Sequence, residues 1–433
     1  MRFTSTRNKS LSVGFSKAVL ECMPADGGLY VPLNTEDLRR WILYTDENTS
    51  WSSLAGTLTS AFINDEFSPI ICETIATKAF KFAPEIRQLD EKLFLMELFN
   101  GPTGMHRDYG ISYLASAIET IHQLKGGSSV FLDVSKGELG TSLAIALRGK
   151  KHVKAVIVYP KGAIRGIKES DFVWNGGNVW PVEVDGTEKQ CHDMVREIFA
   201  QRDFALDHGL TVANTANIGR LLPQAFFYPF AFSRIKQKVP ADIFYSLAPG
   251  NYSNVVAGLY AWQFALPLNG FVIPSTDALS EDAMGNPVLL DSIVPLEKRY
   301  PADPAEPSNL ERLEDVFSTN SLLMRHFVFP ASLSEKQIDS AAKELFVKYK
   351  IYPDRHTASA YAACLAKKQN FDQDGSTVLI ARDSPSLSED FVRHTIGEVP
   401  PMKDSIKESL MKTRTGRSEI KDVCELKSII QKL

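Results

Sequence analysis

The run Gly101-Pro-Thr-Gly-Met-His-Arg-Asp-Tyr-Gly110 concentrates reactive side chains between two glycines. His106 gains and loses its proton near neutral pH, which makes it a candidate general base. Arg107 beside it carries a planar, permanently charged fork suited to carboxylate or phosphate. That fork cannot supply the free amine that an imine requires. Two further stretches are built like anion seats. Pro249–Asn254 and Lys136–Ser142 each lie between a strand pattern and a helix pattern. There, backbone N–H groups and the positive end of a helix dipole meet an anion. In the first, Gly250 permits close approach, and Asn251 and Ser253 add side-chain donors. In the second, Lys136 brings an amine. Arg220 offers one more phosphate-matching fork.

Elements of two kinds must position these residues. Residues 1–90 mix a short extended start with amphipathic helical patterns at Leu54–Phe62 and Ile71–Phe82. Asp26-Gly-Gly28 reads as a turn and Leu29–Pro32 as a strand. From about residue 91 the pattern becomes strand, loop, helix, strand. Ser129–Val134, the loop 135–140, Thr141–Arg148 and Lys154–Tyr159 make one such unit. Ile243–Leu247, the turn 248–254, Val255–Phe264 and Phe271–Ile273 make another. Units of this kind imply parallel sheets. Residues 275–310 read as loop, Ser334–Tyr349 as helix and Ser376–Ile380 as a late strand. The tail, 404–433, reads as charged and helical towards its end. The implied division is 1–90, 91–235 and 236–433, an N-terminal α+β region followed by two α/β domains.

Composition narrows the class. The chain has 433 residues and a formal charge of −4. That balance excludes a general electrostatic case for nucleic acid or an anionic membrane as partner. Cys22, Cys72, Cys191, Cys364 and Cys424 stand singly, with no metal-ligand spacing. Free thiols, a reducing compartment and a cytoplasmic location are the expectation. No apolar run reaches the roughly 18 residues of a membrane span.

The ordered motifs resemble those of threonine synthases. The run at 101–110 is similar to that family's Gly-Pro-Thr-x-x-Phe-Lys-Asp-Phe-Gly, in which the lysine holds pyridoxal phosphate (PLP). Arg107 stands at that position and His106 replaces the preceding Phe. Pro249–Asn254 resembles the cofactor-phosphate loop Gly-Asn-Phe-Gly-Asn, with Tyr252 for Phe, Ser253 for Gly and Asn254 closing it. Lys136–Ser142 resembles Ser-Gly-Asp-Thr-Gly-Ser-Ala, keeping Gly137 and Gly140 but placing Lys136 and Glu138 where Ser and Asp stand. Ala25–Pro32, Tyr159–Gly162, Ala213–Gln224, Pro307–Arg312 and Asp354–Ala358 also follow the family's patterns.

The resemblance implies the fold-type II PLP-enzyme architecture. It implies substrate contacts from Asn214, Thr215, Asn217 and Arg220 to a phosphate, and from the loop Lys136, Gly137, Glu138 and Gly140. It places Ala381 where a hydroxyl faces the pyridine nitrogen. Arg165, Lys168 and Arg382 add positive charge near the same cleft. The expected function is a threonine-synthase-like protein that binds an anionic, phosphate-bearing small molecule, with PLP implied by resemblance only and its covalent attachment absent. Two alternatives stand beside it. One is an active carbon–oxygen lyase that converts O-phosphohomoserine to threonine plus phosphate with non-standard cofactor attachment, for instance through Lys136. The other is a regulatory or partner-binding protein.

Overall fold

β-Branched and aromatic runs become strands, and the alanine- and leucine-rich stretches between them become the crossover helices. The computed structural model describes residues 1–239, 242–289, 294–318, 321–370 and 375–433. In chain order the strands are β1 (Phe3–Ser5), β2 (Tyr30–Pro32), β3 (Glu85–Gln88), β4 (Leu93–Glu97), β5 (Ser129–Val134), β6 (Val153–Pro160) and β7 (Val179–Val184). They continue with β8 (Leu210–Thr211), β9 (Ile243–Ser246), β10 (Gly270–Pro274), β11 (Leu279–Glu281), β12 (Pro287–Leu289), β13 (Val328–Ala331) and β14 (Ser376–Ala381).

A four-stranded parallel sheet has the order β7-β6-β5-β8. A six-stranded sheet has the order β13-β10-β9-β14-β4-β3, parallel except for the β3 edge. Buried parallel strands need helices on both faces, which explains their near-continuous apolar sequences. The loops after β4, β5, β9 and β14 all leave the carboxyl ends of these strands. That is where open α/β sheets place ligands.

Three sequence expectations are corrected here. The ranges 1–90, 91–235 and 236–433 do not each carry their own sheet. β4, with β3 on its outer edge, pairs with β14, because the late strand inserts between β9 and β4. Residues 275–310 hold the antiparallel pair β11–β12 rather than loop alone, while 290–293 lie outside the described residues. The helix expected from Thr141 starts at Glu138. Gly137 turns the chain at φ +127°, and the Ser135 hydroxyl accepts the Gly137 and Gly140 N–H groups at 2.9 Å each. The helix therefore begins directly after the glycine.

The helix Arg107–Lys125 runs through the main apolar core. Tyr109 in its first turn is fixed edge-on against Phe82, Phe227 and Trp51, with ring centroids 4.7, 5.1 and 5.7 Å apart. Edge-to-face pairs of this kind add directionality to apolar burial. The N-terminal helices Trp51–Ile63 and Pro69–Ala79 pack against this same core. At the other end of the chain, Asp404–Leu410 and Val423–Ile430 lie against the four-stranded half. Ile420 pairs beside Val184, and Leu426 and Ile430 enter the core of that sheet.

Candidate functional site

The site is assembled at the head of the Arg107 helix. Its framework is Asp108, which is fully buried. One carboxylate oxygen accepts the Thr103 N–H at 2.8 Å; the other accepts the Thr103 and Ser142 hydroxyls at 2.7 and 2.6 Å. These bonds lock the 101–106 turn and the Glu138 helix onto the Arg107 helix. Burial still pushes the Asp108 carboxyl above its ordinary range. Gly110, one turn on, leaves room for Arg220. A Cβ there would lie 2.6 Å from the Arg220 carbonyl oxygen.

His106 is tied to the strand end after β14. Its backbone N–H donates to the Arg382 carbonyl at 2.8 Å, and its Nδ1 lies 3.1 Å from Asp383 Oδ1. Burial, then the Arg382 charge, lower the His106 imidazole to about 3, so it is neutral at physiological pH. A neutral ring bound to a carboxylate through Nδ1–H leaves Nε2 as the acceptor. Burial disfavours the Asp383 anion, but the His106 hydrogen bond and the Arg382 and Arg107 charges more than offset it. Asp383 is held well below the usual carboxylate range.

Three guanidiniums meet this pair. Arg220 is buried, and its side chain forms no hydrogen bond or ion pair among the described residues. Burial, then Arg107 and more weakly Arg382, lower it to about 9 against the attraction of Asp108 and Asp133. Arg107 is half-buried with an unpartnered Nε. Arg382 donates to the Ala248 carbonyl at 3.2 Å and leaves its own Nε unpartnered. Its guanidinium lies across the loop after β9, where a Cβ on Gly250 would come within 2.8 Å of it. No ion pair neutralises any of the three among the described residues. Side by side, cations that are buried or half-buried and lack an ion-pair partner favour a bound anion.

The loop after β9 has the expected strand–turn–helix form. Gly250 and Tyr252 both adopt left-handed backbone, at φ +53° and +67°, and the helix Ser253–Gln263 follows. Ser253 is buried at its first position, and the Asn254 carbonyl accepts the Tyr228 hydroxyl. The Tyr252 hydroxyl turns away to Thr276. Ala381 ends β14 opposite Glu97 and presents no hydroxyl.

Several expected ligands turn inward instead. Asn251 donates to the Thr215 hydroxyl at 2.7 Å and to the Pro307 carbonyl at 3.1 Å. Asn214 donates to the Pro304 carbonyl at 2.6 Å and to Asp133 at 3.2 Å. Asn217 donates to the Val19 carbonyl and caps its own short helix. The reason is the buried Arg312, whose guanidinium donates to the carbonyls of Tyr30, Thr215 and Ala216. Together with Asn309 it fastens the 214–217 segment and the loop after β9 to the N-terminal strands. Of the four expected phosphate ligands, Thr215 is held as the acceptor of Asn251 and Asn309, and only the Arg220 side chain has no partner among the described residues.

Lys136 also misses the cleft. Its side chain is exposed and ion-paired with Glu188 at 2.8 Å, because Gly137 turns the chain just after it. Glu138 faces Arg165 at 2.6 Å, so that pair is neutralised, and a Cβ on Gly140 would strike the buried Tyr159 hydroxyl. Lys168 is exposed beside Glu408. Nothing in the residue order pointed to the His106–Asp383 bond, which joins positions 277 residues apart. Arg382 was legible from its place directly after the Ser376–Ile380 strand pattern.

Comparison with known proteins places this architecture. Residues 2–80 match the family model described as Threonine synthase N terminus. Threonine synthase of Buchnera aphidicola subsp. Baizongia pistaciae is 29% identical over 378 residues, covering 86% of this chain and 86% of the relative. That of Escherichia coli K12 is 26% identical over 370 residues, covering 84% of each. The PLP-bound threonine synthase structure from Brucella melitensis superposes with a TM-score of 0.81 at 19% identity, over 100% of this chain and 99% of that one. The fold is the fold-type II architecture, and over most of its length the chain is similar to threonine synthases.

Proposed function

We propose that this threonine-synthase homologue binds a phosphate-bearing small anion at the head of the Arg107 helix, in the cytoplasm, without an imine to pyridoxal phosphate. The observation that carries this reading is the trio Arg107, Arg220 and Arg382, three clustered guanidiniums that no carboxylate among the described residues pairs. The residues fit an anion better than a covalently held cofactor. A guanidinium heads the helix where an amine is needed, Arg382 lies across Gly250, and Ala381 offers no hydroxyl. The strongest charge effects on His106, Arg220 and Asp383 come from one another and from Arg107, Arg382, Asp108 and Asp133, with no lysine among them.

A second reading is favoured by the full-length likeness to threonine synthases. It is an active carbon–oxygen lyase on a phosphate ester, with the cofactor held other than through Arg107. One pair of measurements separates the two. Purified protein mixed with pyridoxal phosphate is expected to show no yellow imine band and no borohydride-fixed adduct. Arg107→Lys, measured beside it, is expected to show a partial band without full activity. A borohydride-stable adduct on the native chain establishes the lyase reading instead. Thermal shift with phosphate esters then tests the anion site, and a flat response supports a partner-binding role.

A further inference from the structure

The His106–Asp383 pair stands beside the arginines without a task in simple binding. We propose that the cleft hydrolyses phosphomonoesters, with His106 as the catalytic base and Asp383 as its positioning residue. This rests on the anion-binding reading above.

The geometry supplies each part that the reaction needs. Hydrolysis at phosphorus asks mainly for charge stabilisation of the phosphoryl oxygens and for an oriented water. Arg107, Arg220 and Arg382 supply three forks with unpartnered donors. The three guanidiniums outnumber Asp108 and Asp383, the carboxylates beside them, which leaves net positive charge for a phosphate. His106 is held from two sides, by its backbone bond to the Arg382 carbonyl and by the 3.1 Å contact of Nδ1 with Asp383. That contact fixes the ring and leaves Nε2 as an acceptor with no partner among the described residues. The Arg382 and Arg220 charges that, after burial, hold the imidazole low are the ones a bound phosphate dianion offsets, so its basicity rises when the ester is in place.

The step balances without oxidant or reductant. His106 Nε2 takes a proton from water as the water oxygen bonds to phosphorus. The bond from phosphorus to the ester oxygen breaks, and its electron pair leaves on that oxygen. Solvent protonates the leaving oxygen, and the imidazolium, transiently stabilised by Asp383, releases its proton to solvent. The phosphate ester and water become an alcohol and inorganic phosphate.

The test uses the full chain with no added cofactor, incubated with O-phospho-L-serine or p-nitrophenyl phosphate in ¹⁸O-water. Hydrolysis places one ¹⁸O in each phosphate released, whereas carbon–oxygen elimination places none. His106→Gln and Asp383→Asn are expected to lower the rate about a hundredfold, while keeping the thermal shift that inorganic phosphate induces. Arg220→Ala is expected to lose both. Labelled phosphate that depends on His106 supports the proposal. Unlabelled phosphate, no release at all, or a His106→Gln rate equal to the parent's overturns it; a surviving phosphate shift then leaves the binding reading standing. If inorganic phosphate gives no shift in the parent chain, both fail.

Discussion

At the scale of single residues, the site is defined by charges that the fold leaves without partners. Arg220 is buried, and burial with Arg107 lowers it to about 9. Taking an uncompensated cation out of water opposes folding, and apolar replacement of buried ionic groups can stabilise by about 1–4 kcal/mol. Arg220→Met is therefore expected to raise the melting temperature of the free protein and to abolish the stabilisation by phosphate. A melt that falls while phosphate still stabilises would show that Arg220 serves packing instead. Asp133 behaves in the opposite electrostatic sense. Burial pushes its carboxyl up to about 7, although the Ala213 N–H and Asn214 favour the anion. The unfolded carboxyl titrates near about 4. The stabilising contribution of this group is thus whole below that pH and is lost as pH rises through about 7. Denaturant midpoints at pH 5 and pH 7.5 are expected to fall more steeply with pH in the parent than in Asp133→Asn; equal slopes would remove Asp133 from the account.

At the scale of elements, the close crossing of the Arg107 helix and the short Ile218–Leu221 helix sets the cleft. Alanine at Gly110 would gain about 1 kcal/mol in helix propensity. Its methyl would also press on the Arg220 backbone, which is held at a buried helix and cannot swing aside as a side-chain tip would. Overpacking of this kind costs about 1–3 kcal/mol, so the clash prevails. Gly110→Ala is expected to lower the melting temperature and weaken phosphate binding together, both read by calorimetric scans with and without phosphate. A stabilised variant with intact binding would mean that the helices separate freely. The same logic explains the 135–137 turn. Ser135 accepts two backbone N–H groups there, and Gly137 adopts a backbone that side chains resist.

At the scale of the whole molecule, the C-terminal tail joins both halves. Ile406 is buried against Gly104 in the 101–110 turn. The Gly166 N–H donates to the Met411 carbonyl at 2.8 Å, and the Ile420 N–H donates to the Glu183 carbonyl at 2.8 Å. Leu426 and Ile430 then enter the core of the four-stranded sheet. Each such apolar side chain contributes about 1.5–3 kcal/mol when buried. Deleting 404–433 is expected to lower the melting temperature sharply and to remove phosphate binding, because the turn that carries His106 and Arg107 loses its cover. Retention of both the melt and the phosphate response would show the tail to be an appendage.

The sequence alone determined the alternating strand–helix pattern, the family likeness and the guanidinium at position 107, because these are local: side-chain type, β-branched runs and glycine-bearing turns act within a few residues. It also marked Arg220 and Gly250. Only the tertiary structure decided which polar groups stay free. Lys136 and Arg220 read alike as cations in motif positions, yet Glu188 captures the first while the second lies buried beneath the Arg107 helix. Asn214, Asn217 and Asn251 kept motif positions too, but carbonyls and hydroxyls brought near by Arg312 and by β-strand order consume their donors. The pairing of His106 with Asp383 joins residues 277 apart in sequence and arises because β14 slots between β4 and β9. Whether a donor is spent or available depends on neighbours distant in sequence, and folding alone supplies those neighbours.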